Sequence, residues 1–236
     1  MKIVIIHGQK HKQITYHIGR KLVDKLETKE NITEFFLPTD MPYFCNGCYT
    51  CMLKGEEYCP HYESLKPILK AIDEADVLVF TTPVYCFRTT GSMKAFLDHC
   101  FTRWISHRPK ENMYYKKAII ISVAGGMGMR SAASDIKISL RYWGISNIKV
   151  YKLRSLAMSW KEMKDSIKSK MEKDLDRLTN NINNKRAKVT IQNKIMFLVM
   201  RKMQLDKMGS CEKDYEYWKA HGWLEKKRPW KKETKL

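Results

Sequence analysis

The sequence predicts an α/β protein built on a doubly wound parallel sheet, with a helical extension beyond it. Three observations predict this class. Five apolar runs of strand length occur within residues 1–155, and helical patterns lie between and after them. The runs are continuous rather than alternating, as expected of strands buried on both faces. Glycine- and proline-rich loops follow several of them.

Taken in order, Lys2–His7 (KIVIIH) is the first strand. Thr15–Glu27 sets Ile18, Leu22 and Leu26 at helical spacing, with Thr15 placed to cap the helix. Asn31–Leu37 (NITEFFL) is the second strand and stops at Pro38. Ser64–Asp73 puts Leu65, Ile68, Leu69 and Ile72 on one helix face. Asp76–Thr82 (DVLVFTT) is the third strand, followed by a helix beginning at Gly91–His99. Lys117–Ala124 and Ile148–Leu153 are the fourth and fifth strands, separated by a helix from about Arg130 to Trp143.

Ligands of such sheets sit beyond the carboxyl ends of the strands. After strand one comes Gly8-Gln9-Lys10-His11-Lys12-Gln13-Ile14-Thr15, where helix N–H groups and two lysines suit a phosphate. With only Gly8 present it is not a dinucleotide fingerprint. After strand three, Pro83-Val84-Tyr85 leads to Arg88-Thr-Thr-Gly91, an irregular segment suited to a flat ring. After strand four, Ala124-Gly125-Gly126-Met127-Gly128 permits close backbone approach to a ligand.

Cys45, Cys48, Cys51 and Cys59 gather four of seven cysteines into fifteen residues. Four such thiols suit an iron–sulfur cluster, a zinc ion, or a role as free thiols shaping a pocket. Cys86, Cys100 and Cys211 stand singly, the first two reading as core or pocket packing. His99, Trp104, His107 and Arg108 border either the site or a dimer contact, and an Asp98–His99 pair reads as structural.

The motifs resemble one family specifically. The Gly8–Thr15 loop, the CxxCxxC…C insert, ADVLVFTTPVY with GSMKAFLDH, SVAGGMG and WGI at Trp143–Ile145 are similar to the flavodoxin-like NAD(P)H-dependent FMN reductases, including their iron–sulfur flavoprotein branch. The resemblance covers about residues 1–155. It implies a strand order of 2-1-3-4-5, FMN as cofactor and NAD(P)H as co-substrate. It also implies that Gly8, Gln9, Lys10, His11, Lys12 and Thr15 hold the FMN phosphate. Pro83, Val84 and Tyr85 would frame the isoalloxazine, with Ala124, Gly125 and Gly126 closing its other side. The chain departs from its relatives at Gln13 and Ile14, so the phosphate would lean on backbone amides, Gln9, Thr15 and the cations. By resemblance Cys45, Cys48, Cys51 and Cys59 stand at the flavin edge, where the iron–sulfur branch holds a [4Fe–4S] cluster. No protein nucleophile is implied, since the flavin does the chemistry.

Residues 1–160 thus read as the FMN-binding domain and 161–236 as a basic helical extension. Net charge is +19, and residues 151–236 hold 23 Lys/Arg against 11 Asp/Glu. The interspersed signs favour a solvated surface over a nucleic-acid site. Lys161–Leu178 reads as a helix broken at Asn180–Asn184 (NNINN). Ile191–Met203 is apolar but too short to span a bilayer, leaving a membrane-surface or subunit-packing role. Tyr215, Tyr217, Trp218, Trp223 and Trp230 read as an arm over a partner in a homodimer or higher homo-oligomer. The amino terminus lacks a signal-peptide pattern, so the expected compartment is the cytoplasm. The expected activity is ping-pong transfer from NAD(P)H to a quinone, nitro compound or flavin. Two alternatives are an iron–sulfur electron carrier serving a ferredoxin-like partner, and a non-enzymatic nucleic-acid-binding or regulatory module using the basic tail.

Overall fold

The computed structural model describes residues 1–184, 187–209 and 211–231; residues 185–186, 210 and 232–236 of the expected extension lie outside them. Five strands, β1 (Ile3–His7), β2 (Ile32–Phe36), β3 (Val77–Pro83), β4 (Lys117–Ala124) and β5 (Asn147–Arg154), form one sheet in the order β2-β1-β3-β4-β5. Every pairing is parallel. The central strands β1, β3 and β4 are the most apolar runs and are buried almost throughout. The flavodoxin-like order expected from the motifs is therefore the order observed.

The two sheet faces carry separate cores. Beyond the short helix α2 (Thr50–Leu53), helices α3 (Tyr62–Glu74), α4 (Gly91–His99) and α5 (Met129–Tyr142) lie on one face and bury Leu65, Ile68, Phe96, Ile136 and Leu140 against Leu78, Phe80 and Ile120. On the other, α1 (Ile14–Leu26) and α6 (Asp165–Asn184) pack Ile18, Leu22, Met171 and Leu175 on Ile5, Val79 and Ile119. Removal of this apolar surface from water, worth about 25 cal/mol per Å², is what holds the layers.

Two local expectations are corrected. Thr15 does not cap α1: the cap position is Gln13, and it makes no side-chain cap bond. The helix starts one residue before Thr15 because Ile14 is buried among Ile18 and its neighbours. The NNINN segment does not break α6, which runs to Asn184. Ile182 is fully buried there, and its carbonyl accepts the Lys117 Nζ at 2.6 Å. Tertiary burial outweighs the weak helix preference of asparagine, a few tenths of a kcal/mol per residue.

Helices α7 (Ile191–Leu205) and α8 (Glu212–Ala220) close a third core. Phe197, Trp218 and Trp223 pack there with Ile105 and Tyr114, which precede β4 and β5 in the chain. The tail aromatics expected to anchor a partner subunit thus lie on their own chain. Trp218 and Trp223 are buried, and Tyr215, Tyr217 and Trp230 are half-buried, so these rings offer no exposed platform for stacking bases. Among the described residues no helix is long and apolar enough to cross a membrane.

Candidate functional site

The carboxyl ends of β1, β3 and β4 bring three loops to one sheet edge. Gly8 leaves β1 with its N–H on the Thr81 carbonyl at 2.8 Å, while its own carbonyl accepts the Thr90 hydroxyl at 2.8 Å. A Cβ at Gly8 would stand 2.8 Å from Thr90 Oγ1 and 3.0 Å from Thr81 O, so the position is closed to side chains. Gln9 is half-buried and Lys10, His11 and Lys12 are exposed beside the start of α1. Thr15 sits in the first helical turn. That turn has no side-chain cap and no acidic residue, so its N–H groups and dipole are available to an anion. Lys12 is partly engaged, its Nζ lying 5.3 Å from the Tyr16 ring centroid and 5.5 Å from that of Phe36.

Behind this loop His7 is buried at the end of β1. Its Nε2 donates to Glu34 Oε1 at 2.8 Å and its Nδ1 meets Thr81 Oγ1 at 2.9 Å. Burial opposes charge on Glu34, yet His7 together with Arg20 and Lys12 holds its carboxyl below the usual range.

The other two loops touch one another. Gly128 has φ +92°, and a Cβ there would fall 2.7 Å from Val84 Cγ1 and 3.1 Å from Phe87 Cα. Cys86 and Phe87 both adopt left-handed backbone, φ +48° and +63°, a strained arrangement for non-glycine residues that clusters at ligand clamps. Pro83 and Val84 are half-buried, Tyr85 is exposed, and Ala124 is buried under Gly125 and Gly126. Both of those glycines face open space. This shelf, with an uncapped helix start at one end, fits a flat ring bearing a phosphate arm. Cys86 is exposed rather than packed, whereas Cys100 is fully buried as expected.

Cys45, Cys48, Cys51 and Cys59 line a single cavity of about 260 Å³ with Pro60, His61, Asp98, His99 and Phe101. Burial, then repulsion from Cys59 and Cys45, pushes the Cys51 thiol up to about 11, and burial also raises Cys59. Cys48 is fully exposed and lowered, chiefly by its hydrogen bond to Thr50. A bound cation would relieve this mutual repulsion, so the thiols suit a thiolate-bound metal group by their chemistry, although among the described residues they are not the donor set whose atoms converge.

His99, His107 and Arg108 do border this cavity region as expected, but their partners were invisible to spacing arguments. Arg103, 4% exposed, bridges Glu56 and Asp73. Arg108 donates to the carbonyls of Cys51 and Met52, at 2.6 and 3.1 Å, and to Asp214 of α8. His107 also meets Asp214, at 2.8 Å, and Cys211 Sγ donates to Met52 O. His99 bonds Ala95 O and His61, not Asp98, which pairs with Lys94. His61, which no motif flagged, stands two residues beyond Cys59; that C-x-H spacing was its only signal. Trp104 stacks on Tyr142 within the chain.

A family model described as NADPH-dependent FMN reductase matches residues 1–155. The chain belongs to the NADPH-dependent FMN reductase family. An iron–sulfur flavoprotein of Archaeoglobus fulgidus is 29% identical over 150 residues, 61% of this chain and 64% of the relative. An FMN-dependent NADH:quinone oxidoreductase of Hydrogenovibrio crunogenus is 26% identical over 112 residues, 42% of this chain and 55% of the relative. The chain thus spans between half and two-thirds of these relatives. Among solved structures, an FMN-dependent NADH-azoreductase from Bacillus anthracis in complex with FMN superposes with a TM-score of 0.53 at 14% identity, covering 76% of this chain and 100% of the azoreductase. That likeness is one of fold.

Proposed function

We propose that this chain is an FMN-dependent NAD(P)H oxidoreductase that passes reducing equivalents to a small acceptor, a quinone, nitro compound or flavin, by a ping-pong mechanism. The observation that carries the reading is the contact of Gly128 with Val84 and Phe87, which joins two loops around the open Gly125–Gly126 shelf. When bound, FMN would supply the hydride and electron transfer. The chain's own task is to bind and orient. Gln9, Lys10, His11, Lys12, Thr15 and the free N–H groups at the start of α1 hold the phosphate. Pro83, Val84 and Tyr85 line one side of the ring, and Ala124, Gly125 and Gly126 the other; the Val84 and Tyr85 N–H groups are taken by Val123 O and Arg88 O, which leaves the backbone N–H groups near Gly125 to tune it. The open shelf leaves room for co-substrate and acceptor in turn.

A second reading has a specific observation in its favour: all four clustered thiols line one cavity. Under it, Cys45, Cys48, Cys51 and Cys59 hold an iron–sulfur cluster, and the protein exchanges single electrons with a ferredoxin-like partner. A visible spectrum of anaerobically purified protein separates the two. Flavin bands alone, with NADH or NADPH turnover against a quinone, support the reductase. A broad shoulder near ~400 nm lost in Cys48→Ser supports the cluster. Colourless protein that takes up no added FMN and oxidises neither nucleotide overturns both. Assembly as a homodimer or higher homo-oligomer is part of the proposal, and solution mass measurement tests it.

A further inference from the structure

The cysteine cavity holds two nitrogen donors that neither reading uses. Among the described residues, one set of potential metal ligands has its donor atoms all within 4.8 Å of one another, and it is not the four thiols: it is Cys59, His61 and His99. We propose that these three residues bind a single divalent transition-metal ion of the zinc class, with the fourth coordination position facing the cavity.

The tautomers favour this. His99 is buried, and its Nδ1–H donates to the Ala95 carbonyl at 2.7 Å, which leaves the lone pair on Nε2. An outer hydrogen bond of this kind from the distal ring nitrogen is what orients a ligating histidine. The Nε2 of His99 faces His61 Nδ1 at 2.9 Å. Two imidazole nitrogens on one tetrahedral zinc lie about 3.3 Å apart, given Zn–N bonds near 2.05 Å, so the pair needs to open by only a few tenths of an ångström. His61 is held in plane by Tyr43, whose ring stacks on it at 4.5 Å and 7°. Both histidines lie at element ends, His61 just before α3 and His99 in the last turn of α4, so the rigid first core positions them.

Binding balances simply. The Cys59 thiol proton leaves to solvent as the Zn–S bond forms, and the His61 proton moves from Nδ1 to Nε2 so that Nδ1 can donate. Zinc changes no oxidation state. One thiolate with two imidazoles is a borderline-soft set, suited to zinc over magnesium or calcium. Three protein ligands with an open position match the catalytic rather than the structural pattern of zinc sites. The site shares Cys59 with the four-thiol set, so the two occupants exclude one another.

The test uses the full chain, stripped of metal under anaerobic conditions and titrated with Co²⁺ and then Zn²⁺. A single Co²⁺ per chain should give tetrahedral ligand-field bands and a thiolate charge-transfer band, both erased by one equivalent of Zn²⁺. His61→Ala and His99→Ala should each weaken zinc binding by more than about 100-fold, the upper range for loss of an outer partner alone. Cys45→Ser and Cys48→Ser should change it little. His61 is only half-buried, so its variant keeps the test sound should His99→Ala fail to fold. FMN uptake by each variant reports separately on the reductase reading. Zinc binding that is unaffected by His61→Ala, or is lost in Cys45→Ser, overturns the proposal. So does iron with sulfide in the purified protein that survives both histidine changes, or no uptake of either probe metal.

Discussion

The Thr90 hydroxyl donates to the carbonyl of Gly8 at 2.8 Å and in turn accepts the Met93 N–H at 3.2 Å. One buried side chain therefore caps α4 and fastens the loop after β1 to it. Thr90→Val keeps the shape and removes both bonds. Loss of the cap alone costs about 1–2 kcal/mol, and the freed Gly8 carbonyl adds to it. The expected outcome is a lower denaturation midpoint with FMN affinity reduced about tenfold, read by quenching of flavin fluorescence. Unchanged flavin affinity would detach this loop from the cofactor.

Gly128→Ala tests the junction of the two ring-framing loops. Its left-handed φ costs an L-residue about 1–2 kcal/mol, and the new Cβ meets Val84 and Phe87 as well. Flavin affinity should fall by at least about tenfold while the far-ultraviolet circular dichroism is preserved. Gly126→Ala, which meets open space, should spare the fold and affect only ligand binding.

Asp214 is fully buried with Arg108 and His107 as its partners. Asp214→Ala leaves a guanidinium without its counter-ion, a change worth about 3–5 kcal/mol. Besides the stability loss, thiol-labelling mass spectrometry should show faster modification of Cys51, whose carbonyl Arg108 holds. Asp214→Glu should restore part of the protection, and equal labelling rates in all three proteins would show that the clamp does not reach the loop.

Acid should weaken the frame around the cavity in a defined window. Burial opposes charge on Glu56, but Arg103 and Lys110 hold its carboxyl below the usual range, as His7 and Arg20 do for Glu34. A depressed folded-state value means stability that is complete above the unfolded value, near pH 4.3, and lost as pH falls through the lower folded value. Denaturant midpoints measured from pH 6 downward should therefore fall below about pH 4.5. Glu56→Gln should flatten part of that slope.

In the third core, Phe197 stacks on Trp218 at 4.8 Å, and Trp218 Nε1 donates to the His107 carbonyl at 2.6 Å. Trp218→Ala should cost about 3–5 kcal/mol. Intact stability by thermal melting would place this core outside the cooperative unit.

Strands were legible because burial on both faces writes itself as uninterrupted runs such as IVIIH and VLVFTT, and strand order followed from the motif resemblance. Local polar chemistry was less legible. Thr15 looked like a cap, but burial of Ile14 moved the helix start. NNINN looked like a breaker, but Ile182 is carried into the sheet core. The tail aromatics looked like a partner's anchors because nothing local tells an intramolecular surface from an intermolecular one. Spacing found the four cysteines and set His99 at the border of the site; it missed His61 and the meeting of the two histidines, which lie 38 residues apart and come together only through the packing of α3 and α4 on the sheet. Arg108 and Asp214, 106 residues apart, were beyond any window.

That last separation has a consequence for how the protein is made. The cysteine loop leaves the ribosome early, yet the carboxylate that sets Arg108 against it is synthesised more than a hundred residues later. Domains fold from the amino-terminal side as they emerge, so the sheet can form while the thiols are still unclamped. The cavity reaches its final form only after α8 docks. Metal delivered during translation would meet a loose, solvent-open set of thiols, and metal delivered afterwards a shaped one.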